Sequence, residues 1–136
     1  MTDVVAPVAA RLREFVPSRE VYEHGVPDGT LPPRYLLVTA SAGEVSSTNL
    51  ADKADRRSPV VFVTSVCRHA VALVAAREAL WGADAAVTAL TDWRPSIGAA
   101  TWKPSHVSSL PPRRDDDLPD VVMVAVEQFV LAYQPS

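Results

Sequence analysis

The chain has a single cysteine, Cys67, so no disulfide can form within it, which fits a reducing compartment. Glycine is scarce too, with five residues at positions 25, 29, 43, 82 and 98. None of them makes a glycine-rich turn ahead of a helix, which excludes the backbone cradles that hold phosphates. The histidines His24, His69 and His106 stand apart from one another and from any second soft ligand. Cys67 and His69 lie two positions apart, but a zinc centre needs about four ligands. That pair reads as a thiol at a strand end and an exposed imidazole, because no glycine turn presents Cys67 as a nucleophile. No metal, cofactor or catalytic group is therefore expected. No apolar run approaches the roughly 20 residues that cross a bilayer, so no membrane partner is expected. The opening "MTDVVAPVAARLREFV" carries Asp3 where a secretory signal has a basic region, and does not read as one. A basic excess is missing as well. Thirteen Lys and Arg against 16 Asp and Glu give a formal net charge of −3, unlike a free-standing nucleic-acid binder.

What is present is a globular composition, 48% hydrophobic and 21% charged, over 136 residues. A single domain spanning residues 1–136 is expected, able to bury roughly two thirds of its unfolded surface. Val5, Val8, Ala9, Leu12 and either Phe15 or Val16 recur at three- and four-residue steps, which predicts a helix capped by Asp3 and stopped by Pro17. "REVYEHG" is a short β-prone piece, and "VPDGTLPPR" is a loop built on a Pro-Asp-Gly turn. "YLLVTAS" reads as a strand. Residues 42–57 are small, polar and charged, and predict a long hairpin arm or a mobile loop carrying Ser47, Thr48, Asn49, Asp52, Lys53 and Asp55. "PVVFVTSVC" is apolar on both faces and belongs in the middle of a sheet. A long helix follows within residues 69–91, with Leu73, Ala76, Leu80, Ala83, Val87 and Leu90 as its expected buried seam. Gly82 would allow close packing there, and Trp93-Arg94-Pro95 ends the helix. "TWKPSHVSS" predicts an edge strand, and "VVMVAVEQFVLAY" the last and longest strand. The order predicts an α+β fold: a mostly antiparallel sheet with a long helix and an N-terminal helix on one face, plus the polar arm.

The stretch "PPRRDDDLPD" at residues 111–120 sets two arginines against three aspartates. Asp115, Asp116 and Asp117 lack the alternating spacing of a calcium loop, and three consecutive solvated carboxylates do not divide acid from base work. The stretch reads as a charged loop or a contact between subunits, in which Arg113 and Arg114 fork onto a neighbour's acids.

Four segments in order resemble the tail terminator proteins of long-tailed phages and prophages of actinobacterial type. "VYEHGVPDGTLPPRYLLV" is similar to the family's early strand and Pro-Asp-Gly turn. "STNLADKADRRSPVVFVTSV" resembles its Ser-Thr arm and the Asp-Arg pair before a Val-Thr-rich strand. "REALWGADAAVTALTDWRP" looks like its main helix, and "RRDDDLPDVVMVAVEQFVLAY" like its Arg-Arg-Asp-Asp run and final strand. Between Val66 and Arg77 the chain is longer than the family pattern, so the helix starts early or a turn intervenes.

The resemblance implies a structural virion protein and not an enzyme. Family members form a ring, typically of six subunits, on the head-proximal end of a finished tail tube. The ring stops polymerisation and offers a surface to the head-completion or connector protein. Implied partners are further copies of the chain, the tail tube protein and the connector. DNA would pass through the lumen without sequence-specific binding, in the virion tail after assembly in the host cytoplasm. Arg56, Arg57, Arg113, Arg114 and Asp115 to Asp117 are the expected interface residues, with the acids toward the lumen or a neighbouring ring. The rivals that remain open are a head-completion or connector protein of the same neck, a small non-catalytic binding domain (among them a nucleic-acid binder using the four arginines), and a small enzyme using Cys67 and His69.

Overall fold

The computed structural model describes residues 3–41, 44–46, 56–98, 100–115 and 121–134. The polar-arm residues Ser47, Thr48, Asn49, Asp52, Lys53 and Asp55, together with Asp116 and Asp117, lie outside them.

Asp3 opens the first helix, α1 (Val5–Phe15). Its Oδ1 accepts from the Val5 N–H at 2.9 Å and the Ala6 N–H at 3.4 Å, meeting two of the donors a helix start leaves unpaired. Val5, Val8, Ala9 and Leu12 are buried as their spacing requires. At the far end the choice falls on Val16, which is buried, while Phe15 stays exposed with the Arg11 guanidinium 3.7 Å from its ring centroid.

The main sheet has five strands in the order β1 (Glu20–Glu23), β2 (Arg34–Ala40), β5 (Val60–Arg68), β8 (Val122–Val130), β7 (Ser105–Arg114). Only the β1–β2 pair is parallel; the other three are antiparallel. The apolar strand β5 is central, as its composition predicts. β3 (Glu44–Ser46) and β4 (Arg56–Ser58) form an antiparallel pair at the foot of the polar arm. They continue into a second, four-stranded sheet with β9 (Tyr133–Gln134) and β6 (Ala100–Thr101). The final strand therefore does not run unbroken. It ends at Val130, and after Leu131 and Ala132 the chain re-pairs in the second sheet.

The edge strand also departs from expectation. β7 starts after Pro104 and runs ten residues through Pro111, Pro112, Arg113 and Arg114, so half of "PPRRDDDL" is strand and not loop. An edge tolerates this because its outer side needs no N–H donors, and the two prolines sit in a bulge between the Leu110–Val126 and Arg113–Val124 pairs.

The long helix is α2 (Ala72–Leu90), and a turn over 69–71 separates it from β5. Both helices lie on one side of the main sheet, α2 across β5 and β8, α1 over β1 and β2. The fold is α+β, with mostly antiparallel sheets and two helices, one of them N-terminal.

The buried seam of α2 is not the one the leucine pattern suggests. Ala75, Ala79, Gly82, Ala83, Ala86 and Ala89 face the sheet, with Leu90 at the end, while Leu73 and Leu80 are more than half exposed. Small side chains let the helix backbone come close to β5 and β8, and larger ones would hold it off. At Gly82 a Cβ would collide with Ser65 Oγ and stand 2.9 Å from Arg19 Nη1. The core cluster around Leu12, Leu36, Val38, Val61, Val63, Leu90 and Phe129 fills the space between the helices and the sheet.

Candidate interaction surfaces

Side chains alternate across each strand, so the sheet has a second face. Its cross-strand rows are Tyr35–Val66–Val124, Leu37–Thr64–Val126–Leu110 and Thr39–Phe62–Gln128–Ser108. Among the described residues no helix packs on this face, and most of these side chains are half-buried only by their strand neighbours. Among the described residues nothing covers this largely apolar face. On the opposite side of the molecule, α2 turns Leu73, Leu80 and Trp81 outward, at 60%, 53% and 52% exposure. Arg77 lies exposed between Leu73 and the Leu80–Trp81 pair, and large apolar side chains left exposed on one helix face mark candidate interaction sites.

The predicted interface residues fall into two groups that the fold keeps apart. Arg56 and Arg57 lie on β4, in the second sheet, beyond the C-terminal end of β8. Arg57 stands opposite Tyr133, and the Arg56 guanidinium sits 4.7 Å from the Trp102 ring centroid. Arg113, Arg114 and Asp115 lie at the other end of the main sheet, where Arg114 faces Met123 and the Asp115 N–H donates to the Val122 carbonyl at 2.8 Å. A nine-residue strand separates the two ends by roughly 30 Å. The four arginines do not form one patch.

Composition left another site unseen. Arg19, Arg34, Arg77, Glu78, Trp81 and Ser18 line a cleft of about 380 Å³ where α2 crosses the start of β2. The Arg19 side chain is 1% exposed, and its Nη2 donates to the Glu78 carbonyl at 2.8 Å and to Glu78 Oε2 at 3.1 Å. Arg34 reaches the same Oε2 at 3.1 Å. Burial pushes the Arg19 guanidinium below the ordinary arginine range; Glu78 opposes that shift and Arg34 adds to it. Trp81 packs its ring centroid 5.0 Å from Arg19. Arg77 and Trp81, four apart on one helix, were legible as neighbours, but nothing local ties Arg19 and Arg34 to them.

A second polar cluster brings serine, histidine and an acid together. Glu127 is buried on β8, and His106 Nε2 lies 2.6 Å from its Oε2. The Ser109 hydroxyl donates to the same Oε2 and stands 3.2 Å from the same Nε2. A proton relay needs the acid on one imidazole nitrogen and the hydroxyl on the other. Here both meet Nε2, so the arrangement fastens edge strand β7 to β8 and does not activate Ser109. Nor do Cys67 and His69 cooperate. Cys67 is buried, desolvation pushes its thiol up, and His69 Nδ1 accepts from the Val71 N–H at 2.9 Å. Among the described residues no three His, Cys, Asp or Glu side chains are grouped to hold a metal ion. No described helix is long and apolar enough to cross a membrane.

No family profile matches the chain, and no curated protein matches it in sequence. A similar fold occurs in a chain from the virion of a native gene transfer agent particle. The two superpose with a TM-score of 0.61 over 96% of this chain and 95% of that one, at 19% identity. At that identity the likeness establishes a shared α+β architecture.

Proposed function

We propose that this chain is a virion assembly protein of the tail-terminator kind, acting over residues 1–136 as one unit. Copies close into a ring on the head-proximal end of a completed tail tube, stop its growth and present a surface to the head connector. The observation that carries this reading is the pair of unlike, largely apolar surfaces that no described residue covers, on opposite sides of the subunit. A ring requires a head-to-tail contact between two different patches. If the outer row of α2, Leu73, Leu80 and Trp81, lies on the open sheet face of the next copy, every sheet gains a helix on both faces. The nearly full-length likeness to a virion chain supports a place in such a particle. The acid excess suits a lumen through which DNA moves, since few cations are left to hold phosphates.

Light scattering behind size exclusion tests the ring. A closed ring of six 14.6 kDa chains gives a species of about 88 kDa. Leu80→Glu on one face, or Val126→Lys on the other, leaves a folded subunit that does not assemble. A wild-type dimer at every concentration would sink the ring. If wild-type chains stay monomeric, added tail tubes decide, because a terminator caps their ends and halts elongation. A ring that ignores tubes but binds the head connector belongs to a head-completion protein of the same neck.

A further inference from the structure

Three guanidiniums and one carboxylate line the cleft at the start of β2, so its walls carry a net charge of +2 (three minus one). Glu78 is already engaged by Arg19 and Arg34. Arg77 is exposed and has no hydrogen-bonding or ionic partner among the described residues. Trp81 adds a half-exposed apolar wall beside them. Guanidiniums pair with carboxylates through a planar fork, and the indole favours a ligand with an apolar side chain next to the acid. The chemistry that fits is an acidic peptide segment with an aliphatic residue beside it.

The chain carries such a segment. Residues 115–118 read Asp-Asp-Asp-Leu. Its first residue, Asp115, lies at the matching end of the sheet. Arg34, Cys67, Met123 and Arg114 form one cross-strand row, so the cleft and the start of the acidic run share one end of the sheet. They lie toward different faces. The cleft is on the α2 side, whereas Asp115 lies near Tyr35 on the open face, where the tyrosine hydroxyl is pushed up by burial first and then by Tyr22 and Asp115. If successive subunits pack with their strands running the same way, one subunit's open face brings this end of its sheet over the same end of the next subunit's α2. We infer that the Arg19–Arg34–Arg77 cleft of one subunit receives the acidic run Asp115–Asp117 of its neighbour, with Leu118 against Trp81. The contact rests on the ring reading, and it sets which way successive subunits point.

The test uses the full chain carrying Asp115→Asn, Asp116→Asn and Asp117→Asn, so that its own run does not compete. A fluorescein-labelled peptide DDDLPD is titrated against it and followed by polarisation. Saturable binding is expected, weakened at least tenfold when Arg34→Ala and Arg77→Ala are added. Equal binding by the NNNLPN peptide, or by the double-arginine variant, overturns the proposal. Displacement of DDDLPD by inorganic phosphate or a short DNA duplex at lower concentration overturns it in favour of a phosphate site. Light scattering supplies the second arm. Loss of the ring in the triple-Asn variant supports the contact, and a ring of unchanged mass rejects it while leaving the ring itself standing. A wild-type chain that binds the peptide yet never assembles sinks the ring reading and leaves the cleft chemistry intact.

Discussion

Arg19 donates through one nitrogen to both the main-chain oxygen and the carboxylate of Glu78, fifty-nine positions further along the chain, at 2.8 and 3.1 Å. This contact locks the α1–β1 connection beneath α2. It also leaves Arg19 Nη1 and Ser65 Oγ buried with no partner among the described residues, both against Gly82. The absence of a side chain at 82 is what lets helix, strand and guanidinium meet.

Gly82→Ala tests that close approach. Alanine gains up to about 1 kcal/mol of helix propensity. The added methyl meets Ser65 and Arg19, and overpacking of this kind costs about 1–3 kcal/mol. Net destabilisation is expected in urea unfolding, with the midpoint lowered. An unchanged or raised midpoint would show that Ser65 and Arg19 both give way freely.

Removing the acid tests the pair itself. Glu78→Ala takes away the carboxylate that faces a buried guanidinium, leaving the main-chain carbonyl alone, and is expected to cost about 1–3 kcal/mol. Arg34→Ala breaks a bond to the same oxygen at an exposed site, and should cost less than about 1 kcal/mol. Equal losses from the two variants would contradict the buried-pair account.

His106→Ala strips the buried Glu127 of its imidazole and leaves it the Ser109 hydroxyl. The expected loss is about 1–3 kcal/mol. Because the bond spans the edge of the sheet, amide hydrogen exchange should accelerate along β7 and much less along β5. Uniform acceleration would point to global destabilisation instead.

Alkaline pH supplies a test of burial. Desolvation raises both the Cys67 thiol and the Tyr35 hydroxyl, so the folded state holds these protons more tightly than the unfolded chain does. The stability they contribute is complete below their ordinary ranges and is lost as pH rises through the raised folded values. The urea midpoint should therefore fall as pH passes the thiol range and then the tyrosine range. Cys67→Ala combined with Tyr35→Phe should flatten that fall. A midpoint that drops equally steeply in the double variant would assign the effect elsewhere.

Several elements were legible before the fold was known, for local reasons. The Asp3 cap and the three- and four-residue spacing that builds α1 are encoded within a few residues of where they act. The apolar run of β5 could only satisfy both faces in the middle of a sheet. The path of "PPRR" was misread because prolines signal loops locally, and an edge position with a bulge is a property of the whole sheet. The α2 seam was misread for a related reason. Leucine spacing identifies an apolar stripe, but the sheet beneath admits only alanine and glycine at close range.

The sequence by itself determined the α+β class, the two helices, the central strand and the lack of a phosphate loop or a metal-ligand motif. Each of these depends on composition or on neighbours within about a turn or a strand. Only the tertiary structure decided which residues meet. It placed Arg56 and Arg57 at the opposite end of the sheet from Arg113 and Arg114, gathered Arg19, Arg34 and Arg77 around Glu78, and left one sheet face and the outer row of α2 uncovered by any described residue. The physical reason is range. A hydrogen bond or a packing contact acts over a few ångströms, and folding alone decides which distant stretches of the chain come that close.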